Sequence, residues 1–256
     1  MRTLGIVGPG AGDLAARLTP RLDGPVAVVE SVDRLDRAAS TDTYRLAADG
    51  SWRAWGTDRS LRGWLDDLAP QYAHAICLGR PESDLPTVVL GDAEATNVLL
   101  EAPDAGSVDL DTVVDALADV EPHVTLESLV ERVKASPRAD RAGAIATFTG
   151  RVRAKDADDD PRTTALEFEK YEGVAEERTA TICRELEERD GVIDVRMHHR
   201  TGVIPDGDDI VFVVVLAGHR EEAFRTVEDG INRLKDEVPL FKKEVTVEDT
   251  FWRHER

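Results

Sequence analysis

The sequence predicts two domains of mixed structure: an α/β domain with a degenerate P-loop-like opening over residues 1–120, and an α+β domain over residues 121–256. Three observations lead there. Residues 3–30 run strand-like segment, glycine-rich loop, amphipathic helix and second strand-like segment, which is the opening of a βαβ unit. The pattern breaks at Asp119-Val-Glu-Pro-His123 and restarts with Thr125. A chain of 256 residues is long enough for two domains, each burying its own core.

In the first half, apolar runs with β-branched residues at 3–7 and 25–30 read as strands, with a helix over 13–22 between them. Segments 43–47 and 51–55 flank Ala48-Asp-Gly50 and read as a hairpin. A helix over 59–68, strands at 75–78 and 87–90, and a helix over 110–118 complete this half.

The second half opens with Thr125-Leu-Glu-Ser128 starting a helix to about residue 133. Strands follow at 143–152 and 165–170, joined by the acidic loop 155–161, whose Asp156-Ala-Asp-Asp-Asp160 is a solvated segment or, secondarily, a metal site. Residues 173–189 form a helix with Ala175, Ile182 and Leu186 on its apolar side. Strands at 192–198 and 210–216 come next, the latter so continuously apolar that it must be buried. A helix over 223–234 repeats Phe224, Val227, Ile231 and Leu234 at three- and four-residue spacing, the mark of a core-facing stripe.

The formal charge is −19, and only six of the 32 basic residues are lysine. A surface so acidic and so poor in lysine stays hydrated and repels its own kind, which reads as halophilic adaptation to high salt. The same field repels phosphate backbones and anionic membranes, so neither nucleic acid nor membrane is an expected partner. Cys77 and Cys183 have no CxxC or Cys/His ligand spacing, so no disulfide framework or zinc site is expected, and both read as core residues. No run of 18 apolar residues and no leader pattern is present, so the expected location is the cytoplasm.

Gly8-Pro-Gly-Ala-Gly12 stands where a phosphate-binding loop would, between a first strand and a helix. A Walker loop needs G-x-x-x-x-G-K-[ST], yet Asp13 follows Gly12 where the lysine belongs, and a carboxylate there opposes phosphate by charge. The glycine positions and the later stretch to about residue 92 resemble the MobB family of P-loop GTP-binding proteins. Because the residues that carry nucleotide hydrolysis are missing, the resemblance implies a nucleotide-inactive structural or docking domain or, secondarily, weak nucleotide binding.

The chemical signal lies in the last quarter. Lys235, Lys242 and Lys243, half of the chain's lysines, fall within nine residues. Lysine is a compact point charge that can exchange a proton as well as hold an anion, a task arginine performs poorly. The pair Lys242-Lys243 either belongs to an anion site or lies on a solvated strand or turn face.

The motifs Gly143-Ala-Ile-Ala-Thr-Phe-Thr-Gly-Arg-Val-Arg153, Leu166-Glu-Phe-Glu-Lys-Tyr-Glu172, His199-Arg-Thr-Gly202, Gly218-His-Arg220, Leu234-Lys235 and Pro239-Leu-Phe-Lys-Lys-Glu244 come in the order of the MoaE family, the large subunit of molybdopterin synthase, which residues 122–253 resemble. The resemblance implies an α/β hammerhead fold and a sulfurtransferase. In that reaction a thiocarboxylated ubiquitin-like small subunit of MoaD type delivers sulfur to cyclic pyranopterin monophosphate, with no metal or organic cofactor. It implies Lys235 and Lys242 as catalytic residues and Arg151, Val152 and Arg153 as a substrate-binding segment, with Lys243 and Glu244, which extend the Lys242 segment, also binding substrate. Phe148 either packs near the pterin or belongs to the core.

His219 and Arg220 are also implied as substrate-binding residues, but they open the helix that ends near Lys235. Fifteen residues of helix separate Arg220 from Lys235 by about 22 Å. One small substrate cannot span that, so a homodimer with active sites shared between subunits is expected. The alternative function, a noncatalytic nucleotide-binding or adaptor role in molybdenum cofactor delivery, needs the Walker lysine that the chain lacks.

Overall fold

In the computed structural model, Arg2–Val7 forms β1, a strand with every residue after Arg2 buried. The structure describes residues 1–32, 43–55, 59–80, 83–155, 157–158, 160–171, 173–246 and 250–253. Asp156, Asp159 and Glu172, which belong to the acidic loop and to one of the motifs above, lie outside the described residues. The chain divides into two units, Met1–Val124 and Thr125–Arg256. Residues 121–124 join the first unit because the Met1 and His123 backbones bond each other: His123 N–H donates to the Met1 carbonyl, and the terminal ammonium donates to the His123 carbonyl.

In the first unit, β1 is followed by α1 (Ala11–Leu18), β2 (Val26–Glu30), the antiparallel hairpin β3 (Thr43–Leu46) and β4 (Trp52–Trp55), α2 (Leu61–Leu68), β5 (His74–Leu78), β6 (Thr87–Leu90), β7 (Val98–Ala102) and α3 (Leu110–Asp119). The expected helix over 13–22 is split, because Pro20 lies in a tighter 3₁₀ turn at Thr19–Arg21. A five-stranded parallel sheet runs in the order β2-β5-β1-β6-β7. Alternation along β5 sends Ile76 and Leu78 to a core with Leu14 and Leu18 of α1 and Leu117 of α3, and Ala75 and Cys77 to a second core with Leu65 of α2. Both faces are therefore covered, which is why these strands read as continuous apolar runs. Burial raises the Cys77 thiol to about 11, so it stays an inert thiol of this core.

The glycines after β1 have a backbone explanation. Gly8 and Gly10 have φ of 101° and 82°, and a Cβ on Gly8 would stand 2.1 Å from the Leu90 carbonyl oxygen at the end of β6. Only glycine fits this crossing.

The second unit begins with α4 (Leu126–Lys134), started by a capping box in which the Thr125 side chain accepts from Ser128 N–H and the Ser128 side chain accepts from Thr125 N–H. There follow β8 (Ala144–Arg151), β9 (Thr163–Lys170), α5 (Val174–Glu187), β10 (Val192–His199), β11 (Gly202–Pro205), β12 (Asp209–Ala217), α6 (Arg220–Glu237), β13 (Leu240–Thr246) and β14 (Thr250–Arg253). Two antiparallel sheets form, β10-β12-β8 and β11-β9-β13-β14. Central β12 is buried from Val211 to Ala217, and α5 and α6 pack on its sheet through Ile182, Leu186, Ala223, Ile231 and Leu234.

Phe224 departs from the expected stripe. It is 66% exposed, and the buried face of α6 runs instead through Ala223, Thr226, Gly230, Ile231 and Leu234. At Gly230 the helix comes so close to the sheet that a Cβ would lie 2.7 Å from Met197 Cε and 3.2 Å from Val213 Cγ1. The segment around Lys242 and Lys243 is a strand, the second strand of its sheet to pair with β9.

Leu186 is fully buried between α5 and the sheet. Leu186→Ala removes it from a packed site and is expected to cost roughly 2–5 kcal/mol, read as a lower denaturant midpoint with an unchanged slope.

Candidate active site

Three chain ends of the second unit meet at one cleft of about 640 Å³: the end of β8 with the residues after it, the last turn of α6, and β13. Its walls are apolar where Phe148, Leu166, Phe168, Ile210 and Leu234 approach, and polar where a few charged groups converge. This is the usual composition of a small-molecule site.

β8 delivers Arg151, whose Nε donates to the Gly207 carbonyl at 3.0 Å and lies 3.4 Å from Asp209 Oδ1. Two residues on, Arg153 also lines the cleft, while Val152 between them turns inward to a small core with Leu166, Phe168 and Ile204. The Val152 backbone is taken up by the turn after β11: its N–H donates to Asp208 and its carbonyl accepts from Gly207 N–H, both at 2.9 Å.

α6 delivers Lys235 in its last turn, where the helix dipole is negative and favours a cation. Lys235 is exposed and makes no hydrogen bond or ion pair among the described residues. β13 delivers Leu240, Lys242 and Glu244 on one face by strand alternation. Lys243 points the other way and bonds Glu167 Oε2 at 3.0 Å across the β9 pairing. Glu244 is 7% exposed and accepts a hydrogen bond from the Thr163 hydroxyl of β9.

Of the residues expected from sequence, Arg151, Arg153, Lys235, Lys242, Glu244 and Phe148 thus share one cleft. Val152 and Lys243 stand behind its walls. His219 and Arg220 are exposed at the start of α6 and do not line it, and the helix rise to Lys235 is the reason. Sequence reasoning missed Thr163 and His199 as site residues. His199 lines the cleft from the end of β10, its ring edge-on to Phe168 with centroids 4.6 Å apart. Its Nδ1 lies 2.7 Å from the Arg200 carbonyl, so that nitrogen carries the proton and donates. The one available signal was the position of His199 at a strand end before Arg-Thr-Gly.

Next to it, burial pushes the His198 imidazole down to about 3, and the positive side chain of Arg200 adds to the shift. Burial likewise raises the Cys183 thiol to about 11. Among the described residues no group of three or more His, Cys, Asp or Glu could hold a metal ion, and no helix is long and apolar enough to cross a membrane.

Four cations around a partly apolar cleft, with one buried carboxylate among them, suit a small anionic ligand that also carries an uncharged ring or chain. Residues 121–237 match the model of the MoaE protein family. The probable molybdopterin synthase of Haloferax volcanii is 56% identical over 261 aligned positions that cover 100% of both chains. The molybdopterin synthase catalytic subunit of Vibrio cholerae is 36% identical over 125 positions, 49% of this chain and 82% of that one. The crystal structure of molybdopterin synthase from Staphylococcus aureus aligns with a TM-score of 0.46 and 31% identity, covering 53% of this chain and 94% of that one. The chain belongs to the molybdopterin synthase family, with its MoaE region in the second half, and is an enzyme of molybdenum cofactor biosynthesis.

The depressed His198 has a consequence for stability. Below pH 6.5 the unfolded chain takes up a proton there that the folded chain refuses until about pH 3, so stability falls as pH drops through that window. His198 alone is expected to contribute a loss of about 2 kcal/mol between pH 8 and pH 5. Urea titrations at both pH values check this, with His198→Gln showing the shallower loss.

Proposed function

We propose that this chain is the sulfur-transferring large subunit of a molybdopterin synthase, acting in the cleft between β8, α6 and β13. Its substrate is cyclic pyranopterin monophosphate, and its sulfur donor is the thiocarboxylated C-terminus of a ubiquitin-like small subunit. In net terms each sulfur leaves its acyl carbon and takes the place of a carbon-bound oxygen on the hydrated substrate, and an oxygen, supplied through water, takes the place of the sulfur so that the acyl group ends as a carboxylate. The observation that carries this reading is the convergence of Lys235, Lys242 and Arg153, from three separate elements, on one cleft.

The chemistry suits fixed cations. The substrate phosphate and the thiocarboxylate are both anions, and negative charge develops on the acyl oxygen as sulfur departs. Lys235 stabilises that charge and transfers a proton, for which its solvent access and lack of an ion-pair partner among the described residues leave it available. Lys242 assists at the thiocarboxylate or phosphate. Arg151 and Arg153 hold the phosphate, while Val152 and Lys243 support the strands that carry the site. A cleft of about 640 Å³ has room for a pterin phosphate together with an extended peptide end.

His219 and Arg220 serve a neighbouring subunit's cleft in a homodimer. Phe224, 66% exposed and one turn from Arg220 on the same side of α6, supports a covered face there. The first domain, about residues 1–120, is a nucleotide-inactive docking domain resembling MobB, with Asp13 in the first turn of α1 where a phosphate would otherwise approach. The enzyme works in the cytoplasm.

The test is reconstitution in high salt with cyclic pyranopterin monophosphate and thiocarboxylated partner, followed by assay of molybdopterin. Lys235→Ala is expected to lower turnover by about 10²–10³-fold, and Lys242→Ala by less. Wild-type turnover in Lys235→Ala would overturn the assignment of its role. Absence of product with a partner shown to be charged and bound would overturn the reaction.

A further inference from the structure

The last turn of α6 carries Lys235, yet its own sequence does little to hold it. Asp236 and Glu237 set two carboxylates at the negative end of the helix dipole, and the last carbonyls of any helix lack partners within it. Pro239 lies just beyond and cannot continue the helix. An end of this kind frays unless something outside the helix grips it.

The grip comes from α5. Arg233 Nε donates to Glu237 Oε1 at 2.6 Å and Arg233 Nη2 to Glu237 Oε2 at 3.2 Å, so one guanidinium takes both carboxylate oxygens across a turn of α6. Arg233 Nη2 also donates to Glu185 of α5, and Arg178 of α5 donates to Glu237. These four side chains form one network between the helices. Arg233, and after it Arg178, hold the Glu237 carboxyl below its usual range, so it stays ionised at neutral pH. A further pair between the same two segments, Arg189 Nη1 with Asp229 Oδ2 at 2.6 Å, lies away from the last turn.

The direction of the grip is informative. At 3.6 residues per turn, Lys235 lies about 200° around the helix from both Arg233 and Glu237. The network therefore holds the turn from one side while Lys235 lines the cleft on the other. Partly exposed ion pairs contribute little to folding stability, and what a bidentate network adds is a fixed geometry.

We infer that Glu237, gripped by Arg233 and Arg178, is a positioning residue for Lys235: it locks the last turn of α6 to α5 and so fixes where the ammonium group stands during sulfur transfer. This rests on the role proposed above for Lys235 and deepens it.

The test is the reconstituted sulfur-transfer assay, read as the rate at saturating cyclic pyranopterin monophosphate and as the half-saturating concentration. Glu237→Gln is expected to lower the saturating rate about tenfold, with the half-saturating concentration within about twofold of wild type. Asp229→Asn, which breaks an α5–α6 pair of the same kind away from the last turn, is expected to keep the wild-type rate. In Lys235→Ala, adding Glu237→Gln is expected to cost less than about twofold more, because a residue that acts through Lys235 then has nothing left to position.

A further tenfold loss in that double variant would give Glu237 a role independent of Lys235 and overturn the inference. A wild-type rate in Glu237→Gln, or an equal fall in Asp229→Asn, would overturn it as well. If Glu237→Gln does not fold, as judged by thermal unfolding, Arg178→Gln carries the test with an expected loss of about threefold, since the Arg233 pair remains. A wild-type rate in Lys235→Ala overturns the role of Lys235, and this inference with it, while the proposed reaction stands. Absence of product from wild type overturns the reaction itself.

Discussion

The site depends on the register of β13 against β9. Lys243 faces Glu167 directly in that pairing and bonds it at 3.0 Å, so the charge that cannot face the cleft is satisfied behind it. Strand alternation then leaves Lys242 and Glu244 on the cleft side, above Leu166 and Phe168. A slip by one residue would exchange the faces, sending Lys243 inward and Lys242 out, and would bury the wrong charges. The ion pair contributes little free energy by itself at a half-exposed position. It is matched to the register that keeps Lys243 on the far face from the cleft.

Much of the fold is legible in the sequence because the central strands are covered on both faces. β1, β5, β6 and β12 appear as apolar runs for that reason, and so were readable without tertiary information. β7 and β11 were not, because they lie at sheet edges: Val98 is 46% exposed, and only Ile204 of β11 is buried. α6 extends beyond its apolar core at both ends, since Arg220 to Glu222 and Lys235 to Glu237 are polar and give no periodic signal. Phe224 shows the opposite failure, an apolar residue at core spacing that the helix turns outward. Periodicity finds the apolar side of a helix but not which edge of it meets the sheet.

For the site, the rarity of lysine was the readable signal, and it led to Lys235 and Lys242 together in one cleft. Thr163 and His199 left no such trace. Each is an ordinary residue at a strand end, and each acquires a partner, Glu244 or the Arg200 carbonyl, only through folding. The acidic surface has a part in this as well. A net charge of −19 disfavours anions over most of the surface, so the gathered cations of the cleft stand out as a favourable place for an anionic ligand. High salt flattens the repulsive field over the surface more than it weakens contacts inside a partly apolar cleft.

The close approach at Gly230 gives α6 a second function beyond packing. The glycine lies five residues, somewhat more than one turn, before Lys235, at the point where the missing Cβ lets the helix touch Val213 and Met197. How closely the helix lies on the sheet at a residue with no side chain thereby bears on where the Lys235 side chain stands at the cleft, one turn further on.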